Sequence, residues 1–246
     1  MIAKITDGSR TFQVDLSEPI DISIPLVSGE NRLSAWSVPP IAIEPVRTNS
    51  FLGSVTEGGD VNFRNISFNP HGHGTHTECV GHISKELMSV NQTLTQFHMI
   101  AQVLSIEPTR IGDDFVITVD QLPSELGCNA LCIRTIPNDS SKLTRAYSKS
   151  NPPYIDQEAM RKVVDLGVEH LLIDTPSVDR EEDGGSLVSH HIFWNYPGEI
   201  NPTKTITELI YIPTEIQDGE YFMELQFAPF ENDASPSRPV LYRIKN

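Results

Sequence analysis

Four of the eight histidines of this 246-residue chain lie within one internal stretch, residues 69–82, which reads NPHGHGTHTECVGH. Histidine is suited to metal binding and to proton transfer near neutral pH. Gly72 and Gly74 remove side-chain bulk between the imidazoles, so the backbone can bend and bring His71 and His76 toward one point. A shared metal ion explains this arrangement economically. The alternative is a surface loop whose histidines bind nothing.

Glu78 follows His76 by two residues, which places both side chains on the same side of an extended segment. Two histidines and a carboxylate form a ligand set typical of a catalytic zinc or manganese site. His82 lies six residues beyond His76 and is spaced to serve nearby without being a ligand. The pattern therefore favours a metal site in which one histidine remains free for other chemistry.

A second concentration of histidine occurs at His190 and His191, within LVSHHIFWNYPGE, and Glu208 follows within the apolar segment TELIYI. A buried unpaired charge is costly, so Glu208 either faces solvent or coordinates a partner. His191 is interpreted as a structural or exposed residue. These residues are candidates to join the first cluster.

The overall composition argues against nucleic acids and membranes as partners. The chain is 38% hydrophobic and 21% charged, and its formal net charge of −15 would repel phosphate backbones. No apolar run approaches the roughly 20 residues that a membrane span requires. The N-terminal segment MIAKITDGSRTFQV lacks the apolar core of a secretion signal.

The cysteines indicate a reducing compartment. Cys79, Cys128 and Cys132 are odd in number, and no two of them form a CxxC pair. We expect reduced thiols and a cytoplasmic protein, with Cys128 and Cys132 as small buried apolar residues.

The hydrophobic pattern predicts mixed α/β structure with much β. The clearest helix begins at the N-cap Asp156 and ends near Gly167, and a buried strand follows it and ends at Asp174. The stretch from Ser28 to Asp60 is rich in Gly, Pro, Ser and Asn and is predicted as a long irregular loop, which is usually functional or disordered. Strands are predicted in FQVDLSEPIDISIPLV, VNFRNISF, AQVLSI, FVITVDQLP, NALCIRT, ITELIYIP, GEYFMELQFAPF and RPVLYRI.

Several segments together resemble the metal-dependent cyclase and kynurenine formamidase (arylformamidase-like) family. GTHTE followed by His82 is similar to its HxGTHxDxPxH signature, and SHHIFW and TELIYI resemble its HxxLL and ENL segments. GVEHLLIDTPSVD and GEYFMELQFAPFENDASPSRPVL resemble its central and closing strands. The resemblance runs from DLSEPIDISIPL onward. It implies one cyclase-like domain over residues 1–246, with a β-rich mixed α/β fold of the swivelling β/α/β type and a barrel-like central sheet.

The resemblance also implies roles for individual residues. His76, His190 and Glu208 fall on metal-ligand positions, and Glu78 stands where the family has aspartate. The family's first ligand falls on Gly72, which cannot coordinate, so either His71 or His73 replaces it. We prefer His71, because His73 is only three residues from His76. We expect His71, His76, Glu78, His190 and Glu208 to converge, since two or three ligands from one loop leave a divalent ion under-coordinated.

His82 falls on the family's acid/base position. Catalytic metal sites keep a position open for water and need a base that titrates near neutrality, so we expect His82 to transfer protons rather than to coordinate. The alternative is a surface or helix-capping histidine before SKELM.

The implied activity is metal-dependent hydrolysis of a carbon–nitrogen bond in a small amide, formamide or cyclic amide, with one or two zinc or manganese ions. The alternative is a catalytically impaired relative that still binds a metal or ligand. Trp36, Phe193 and Trp194 either line an apolar pocket or belong to the core. The resemblance and the long segment 28–60 favour a homodimer.

Overall fold

A computed structural model describes residues 1–245, and strands dominate it. The strands are β1 (Ile2–Asp7), β2 (Arg10–Asp15), β3 (Ile20–Asp21), β4 (Ala42–Pro45), β5 (Arg64–Ser67), β6 (His76–Glu78), β7 (His98–Ile106), β8 (Thr109–Ile111), β9 (Asp114–Ile117), β10 (Ala130–Thr135), β11 (Tyr154–Ile155), β12 (His170–Ile173), β13 (Thr205–Glu208), β14 (Gly219–Phe227) and β15 (Ala234–Lys245).

The helices are short. The α-helices are α1 (Pro70–His73), α2 (Val90–Thr93), α3 (Gln157–Asp165) and α4 (Val188–Trp194), and 3-10 turns span Val55–Glu57, Val80–His82, Val119–Gln121 and Ser140–Leu143.

Seven strands close into a barrel in the order β15-β14-β7-β10-β12-β13-β6, and β6 pairs with β15 to complete it. Within the barrel, three pairings are parallel, namely β7–β10, β10–β12 and β12–β13. The other barrel pairings are antiparallel. The β1–β2 hairpin extends the sheet beyond β15. The predicted β-rich mixed α/β fold with a barrel-like central sheet is confirmed.

The central parallel strands separate two apolar cores. Every residue of β10 and β12 is buried, as expected for strands that are covered on both faces. Leu131 and Ile133 of β10 pack with α3 and α4 outside the barrel, whereas Ala130 and Cys132 pack among the strands inside it. Alternation along one strand thus fixes which face looks toward the helices.

Helix α3 begins as the sequence predicts. The Asp156 side chain accepts a hydrogen bond from the Ala159 backbone N–H at 2.7 Å, which caps the first turn. Leu166 ends the helix, and Gly167 follows it with a φ of +77°, a conformation that glycine adopts without strain. β12 then runs back along the barrel and Asp174 follows its last residue.

The stretch from Ser28 to Asp60 is less irregular than predicted. It contains β4 and a 3-10 turn, and β4 pairs with β5 in a separate two-stranded sheet. Alternation is hard to recognise in β4, because the strand has only four residues and ends in a proline. Phe51 and Phe63 pack edge to face in this arm, with ring centroids 5.8 Å apart, and both rings remain partly exposed.

The cysteines are free thiols, as predicted, with Cys79 and Cys132 buried and Cys128 at intermediate exposure. Among residues 1–245, no helix has the length and apolar character needed to cross a membrane.

His170 at the start of β12 predicts a measurable pH dependence of stability. The side chain is buried beside the Thr205 hydroxyl, with Nδ1 2.9 Å from Oγ1, and burial lowers its pKa to about 4. Unfolded His170, with a pKa of about 6.5, binds more protons than folded His170 in this window, so its contribution to stability falls as the pH drops from about 6.5 toward 4. The cost at pH 5 is on the order of 2 kcal/mol.

Urea unfolding at pH 8 and pH 5 measures this effect. On going from pH 8 to pH 5, the stability of His170→Gln should change by about 2 kcal/mol more favourably than that of the unsubstituted protein, because only the latter loses the contribution of His170. His98→Gln, which removes an exposed histidine, is the control. An equal pH dependence in all three proteins would refute the assignment.

Candidate metal centre

Strand β6 brings the first cluster against Glu208. His76 lies directly opposite Glu208 in the antiparallel pair with β13, and His76 Nε2 lies 3.4 Å from Glu208 Oε2. Glu78 lies opposite Ile206, which belongs to the helix-side core, so His76, Glu78 and Glu208 project from the outer face of the barrel. Thr77 points the other way and contacts Thr207. The predicted extended spacing of His76 and Glu78 is present in the structure.

Steric crowding explains why glycine occupies position 72. A Cβ atom there would lie 2.6 Å from a methyl carbon of Val38 and 3.0 Å from the Ala35 carbonyl oxygen. The neighbouring His71 instead reaches the site, with Nδ1 3.1 Å from Glu78 Oε2. The candidate ligand His71 therefore reaches the site from a position next to one that has no room for a side chain.

His73 faces away from the carboxylates. Its Nδ1 accepts a hydrogen bond from the Asn69 N–H at 2.9 Å, and its Nε2 lies 2.9 Å from the Pro39 carbonyl oxygen. Both ring nitrogens are used, and the ring is buried. Of the two histidines that the sequence left open, the structure brings only His71 to the site.

Helix α4 supplies His190 from the opposite side. Its Nε2 lies 3.2 Å from Glu78 Oε1 and 3.8 Å from Glu208 Oε1. Asp179 holds the ring from behind, with Oδ2 2.6 Å from Nδ1, and also accepts hydrogen bonds from the backbone N–H groups of Ser189 and His190. The carboxylate that orients the imidazole thus also satisfies the first turn of the helix. His191 lies outside the site and contacts the Tyr196 carbonyl oxygen.

Two buried atoms of this cluster lack the hydrogen bonds that burial demands. His76 Nε2 and Glu78 Oε2 have no hydrogen-bond partner among residues 1–245, although Glu78 Oε2 lies near the His71 ring. His76 Nδ1 faces the Gly74 carbonyl oxygen at 3.0 Å, which places the proton on Nδ1 and leaves the Nε2 lone pair free. Such unpaired atoms are costly unless they bind something. A divalent cation fits this donor set.

Glu78 joins two groups of candidate ligands. Ligand atoms of His71, His76 and Glu78 lie within 4.8 Å of one another, and so do those of Glu78, His82 and His190. The two Glu78 oxygens face different histidines, since Oε2 lies toward His71 and Oε1 toward His190. Glu78 is common to both groups, which would suit one divalent ion or two.

The surrounding charges keep the carboxylates ionised. Burial opposes ionisation of Glu78, but the electrostatic interaction with His82 and a hydrogen bond from His190 outweigh it and hold the pKa of Glu78 well below its usual value. Burial also raises the pKa of Asp179, but the hydrogen bond with His190 outweighs this effect, so the pKa of Asp179 is lowered overall. Hydrogen bonds from His71 and His82 lower the pKa of Asp233.

The pKa values of two imidazoles are raised instead of lowered. Burial disfavours protonation of His71, but contacts with Asp233 and Glu78 raise its pKa to about 10, and contacts with Asp179 and Glu78 do the same for His190. A metal ligand must be a neutral imidazole, so metal binding displaces these protons.

His82 lies at the mouth of the site. Its ring is partly exposed, and Nδ1 lies 3.3 Å from Asp233 Oδ2 and 3.8 Å from Glu78 Oε2. It follows β6 in a 3-10 turn in which a side chain at Gly81 would collide with the Met88 carbonyl oxygen, so the turn is closely packed. This position is compatible with proton transfer and also with coordination.

A cavity of about 280 Å³ opens onto these groups, and its lining includes apolar side chains of Trp36, Val38 and Leu187 beside His82 and Glu208. A larger concavity of about 770 Å³ runs along α4 but contains none of the predicted ligands, so the smaller cavity is the better candidate for substrate. Phe193 and Trp194 lie in the core, whereas Trp36 lines the cavity.

Sequence reasoning missed Asp179 and Asp233. Each stands in a segment compared with the family, DTPSVD or ENDASP, but a single aspartate in a turn carries no local signal of its partner. Their partners, His190 and His71, are 11 and 162 residues away along the chain.

The family model named Cyclase, described as "Putative cyclase", matches residues 14–180. This chain belongs to the cyclase family. The match spans the histidine cluster, β12 and Asp179. Among curated proteins, none is similar enough to count as a match.

Solved structures share the fold at low sequence identity. A potential metal-dependent hydrolase with cyclase activity is 16% identical, with a TM-score of 0.66 over 92% of this chain and 97% of the other. A predicted metal-dependent hydrolase from Bacillus stearothermophilus is 16% identical, with a TM-score of 0.64 over 92% and 98%. An isatin hydrolase bound to the product analogue thioisatinate is 14% identical, with a TM-score of 0.64 over 93% of each chain.

The different environments of His71 and His73 predict opposite effects of substitution. His71→Ala should weaken binding of Mn²⁺ or Zn²⁺ by more than about tenfold, because it removes an inward-facing nitrogen. His73→Ala should retain metal and instead lower stability by about 1–3 kcal/mol, because it leaves buried partners unpaired. Calorimetric metal titration and urea unfolding of both variants measure these outcomes. Metal loss in His73→Ala alone would reverse the assignment.

Proposed function

We propose that this protein is a metal-dependent hydrolase that cleaves a carbon–nitrogen bond in a small amide, formamide or cyclic amide. The observation that carries the proposal is the convergence of His71, His76 and His190 on Glu78 and Glu208, with two buried ligand atoms lacking hydrogen bonds. Three nitrogens and two carboxylates suit zinc or manganese, as one ion or two.

The cavity beside these groups supports the hydrolytic chemistry. A divalent ion held by these residues would supply Lewis acidity toward a substrate carbonyl and would make a water molecule easier to deprotonate. His82 removes the proton of the attacking water and returns it to the leaving nitrogen, so a C–O bond forms as the C–N bond breaks. Glu78 and Glu208 would hold the positive charge of the ion in place.

The lining of the cavity favours substrates with an apolar or aromatic group next to the carbonyl. Trp36, Val38 and Leu187 contribute apolar side chains to the lining of the cavity. A planar ring can pack on an indole face, and such aromatic contacts contribute about 0.5–1.5 kcal/mol beyond area burial. The isatin hydrolase of similar fold is compatible with this substrate class.

The test is hydrolysis of a panel of aryl formamides, aliphatic amides and cyclic imides by protein loaded with Mn²⁺ or Zn²⁺. We expect turnover of at least one aryl formamide or cyclic imide and its loss in the presence of a chelator. Tight metal binding without turnover on the panel would favour the alternative, a catalytically impaired metal-binding relative. An absence of metal binding would refute both.

His82→Ala separates proton transfer from coordination. We expect the variant to retain metal and to lose roughly two to four orders of magnitude in kcat, the usual contribution of general acid–base catalysis. Metal content by mass spectrometry and kcat on the best substrate measure the two quantities. His191→Ala is the control, because His191 directly follows His190 along the chain but lies outside the site. Metal loss in His82→Ala would identify His82 as a ligand.

We also propose that the protein forms a homodimer. The arm formed by β4, β5 and their connection exposes several large apolar side chains, namely Phe51, Val55, Val61, Phe63 and Ile66. Contiguous exposed apolar surface commonly marks an interface. The proposal assigns this arm to contact with a second copy of the chain.

Light scattering is expected to give twice the mass of the chain. Phe63→Glu should shift the particle toward the mass of one chain, because it introduces a charge into the arm. Phe115→Glu, which changes an exposed phenylalanine of β9, should not. A single-chain mass for the unsubstituted protein would rule out the dimer.

A further inference from the structure

Asp233 occupies a position that the predicted ligand set leaves without a role. It lies directly before β15, and its backbone carbonyl accepts a hydrogen bond from the Cys79 N–H at 3.0 Å. Its Oδ2 atom lies 3.0 Å from His71 Nε2 and 3.3 Å from His82 Nδ1. One carboxylate oxygen is therefore shared by a candidate metal ligand and by the candidate acid/base.

The contact with His71 completes a pattern in the site. Each of the three inward-facing imidazoles has its second nitrogen held from behind: His76 by the Gly74 carbonyl, His190 by Asp179 and His71 by Asp233. Such outer contacts fix the tautomer and the ring orientation of metal-binding histidines. Asp233 does for His71 what Asp179 does for His190.

The contact with His82 has a different consequence. If Nδ1 of His82 donates to Asp233, the ring carries its proton on Nδ1 and its lone pair on Nε2, which is then the nitrogen that accepts a proton from water. The His71 and His82 rings also lie 4.4 Å apart at an interplanar angle of 34°, so the orientation of one ring restricts the other.

The three residues His71, His82 and Asp233 also lie close enough to hold a cation themselves. Their contacts argue against that role. His76 Nε2 and Glu78 Oε2 are buried without hydrogen-bond partners, whereas Asp233 Oδ2 already has two imidazole nitrogens within hydrogen-bonding distance. This trio is satisfied without an ion.

We propose that Asp233 is a positioning residue that orients His71 and His82 together, so that one carboxylate fixes both the metal-binding ring and the proton-transferring ring. The role of His82 in this inference rests on the proposed hydrolytic function, but the geometry of the three residues does not. A direct observation of the His82 tautomer therefore tests the inference even if no substrate is found.

The experiment is nitrogen-15 NMR of histidine-labelled protein loaded with Zn²⁺, with His82 assigned by the loss of its signals in His82→Ala. The unsubstituted protein should show His82 as the Nδ1–H tautomer. Asp233→Asn should convert it to a mixture or to the Nε2–H form, and Asp233→Ser, which also removes the carboxylate, should do the same if the amide variant folds poorly.

Glu231→Gln is the matched control, because Glu231 lies in the same turn but bonds to Asn91 and Gln92 instead of to histidine. It should leave the His82 tautomer and the zinc affinity unchanged. Asp233→Asn should also weaken zinc binding by about 10–100-fold through His71. If a substrate is found, Asp233→Asn at saturating metal should have a lower kcat than the unsubstituted protein and a nearly unchanged KM.

Two results would overturn the inference. One is an unchanged His82 tautomer in both Asp233 variants. The other is a zinc stoichiometry that falls by one ion per chain in Asp233→Asn while the remaining ion binds normally, which would make His71, His82 and Asp233 a cation site. Failure of hydrolysis on every substrate, with the tautomer shift present, would reject the proposed function and leave the positioning role intact.

Discussion

The burial of Glu78 and Glu208 in the barrel wall is the constraint on which the rest of the site depends. Glu78 is 0% and Glu208 3% exposed, and carboxyl groups removed from water need polar partners. Three imidazole nitrogens surround them, and each imidazole is held from behind by an acceptor. The two buried carboxyl groups need polar partners, and the imidazoles that supply them need acceptors in turn, namely Gly74, Asp179 and Asp233.

The backbone around the cavity is held in conformations that non-glycine residues seldom adopt. Trp36, Ser37, Leu187 and Leu209 have φ values of +59°, +52°, +43° and +57°. Such conformations cost on the order of 1–3 kcal/mol each and persist only where the surrounding structure fixes them. Trp36 and Leu187 line the cavity, and Leu209 directly follows Glu208, so this strain lies at the candidate site.

Features that depend on local residue spacing are predicted well from the sequence. The spacing of His76 and Glu78 indicates one face of an extended segment, and the capping residue Asp156 marks the start of α3. Parts that depend on distant residues are not predictable in this way. The sequence favours His71 over His73 by spacing alone, whereas the physical reason in the structure is distant, because Pro39 and Asn69 bond both ring nitrogens of His73. Asp179 and Asp233 acquire their roles only when β6, β15 and α4 come together.

Anomalous diffraction from crystals of the protein loaded with Mn²⁺ or Zn²⁺, recorded at the absorption edge of the metal, tests the central claim most directly. We expect an anomalous peak with His76 Nε2 and a Glu78 oxygen about 2.0–2.2 Å away. His71 Nδ1 or His190 Nε2 should complete its coordination. A metal bound elsewhere on the chain, with the histidines and carboxylates of this cluster bonded only to one another, would contradict it.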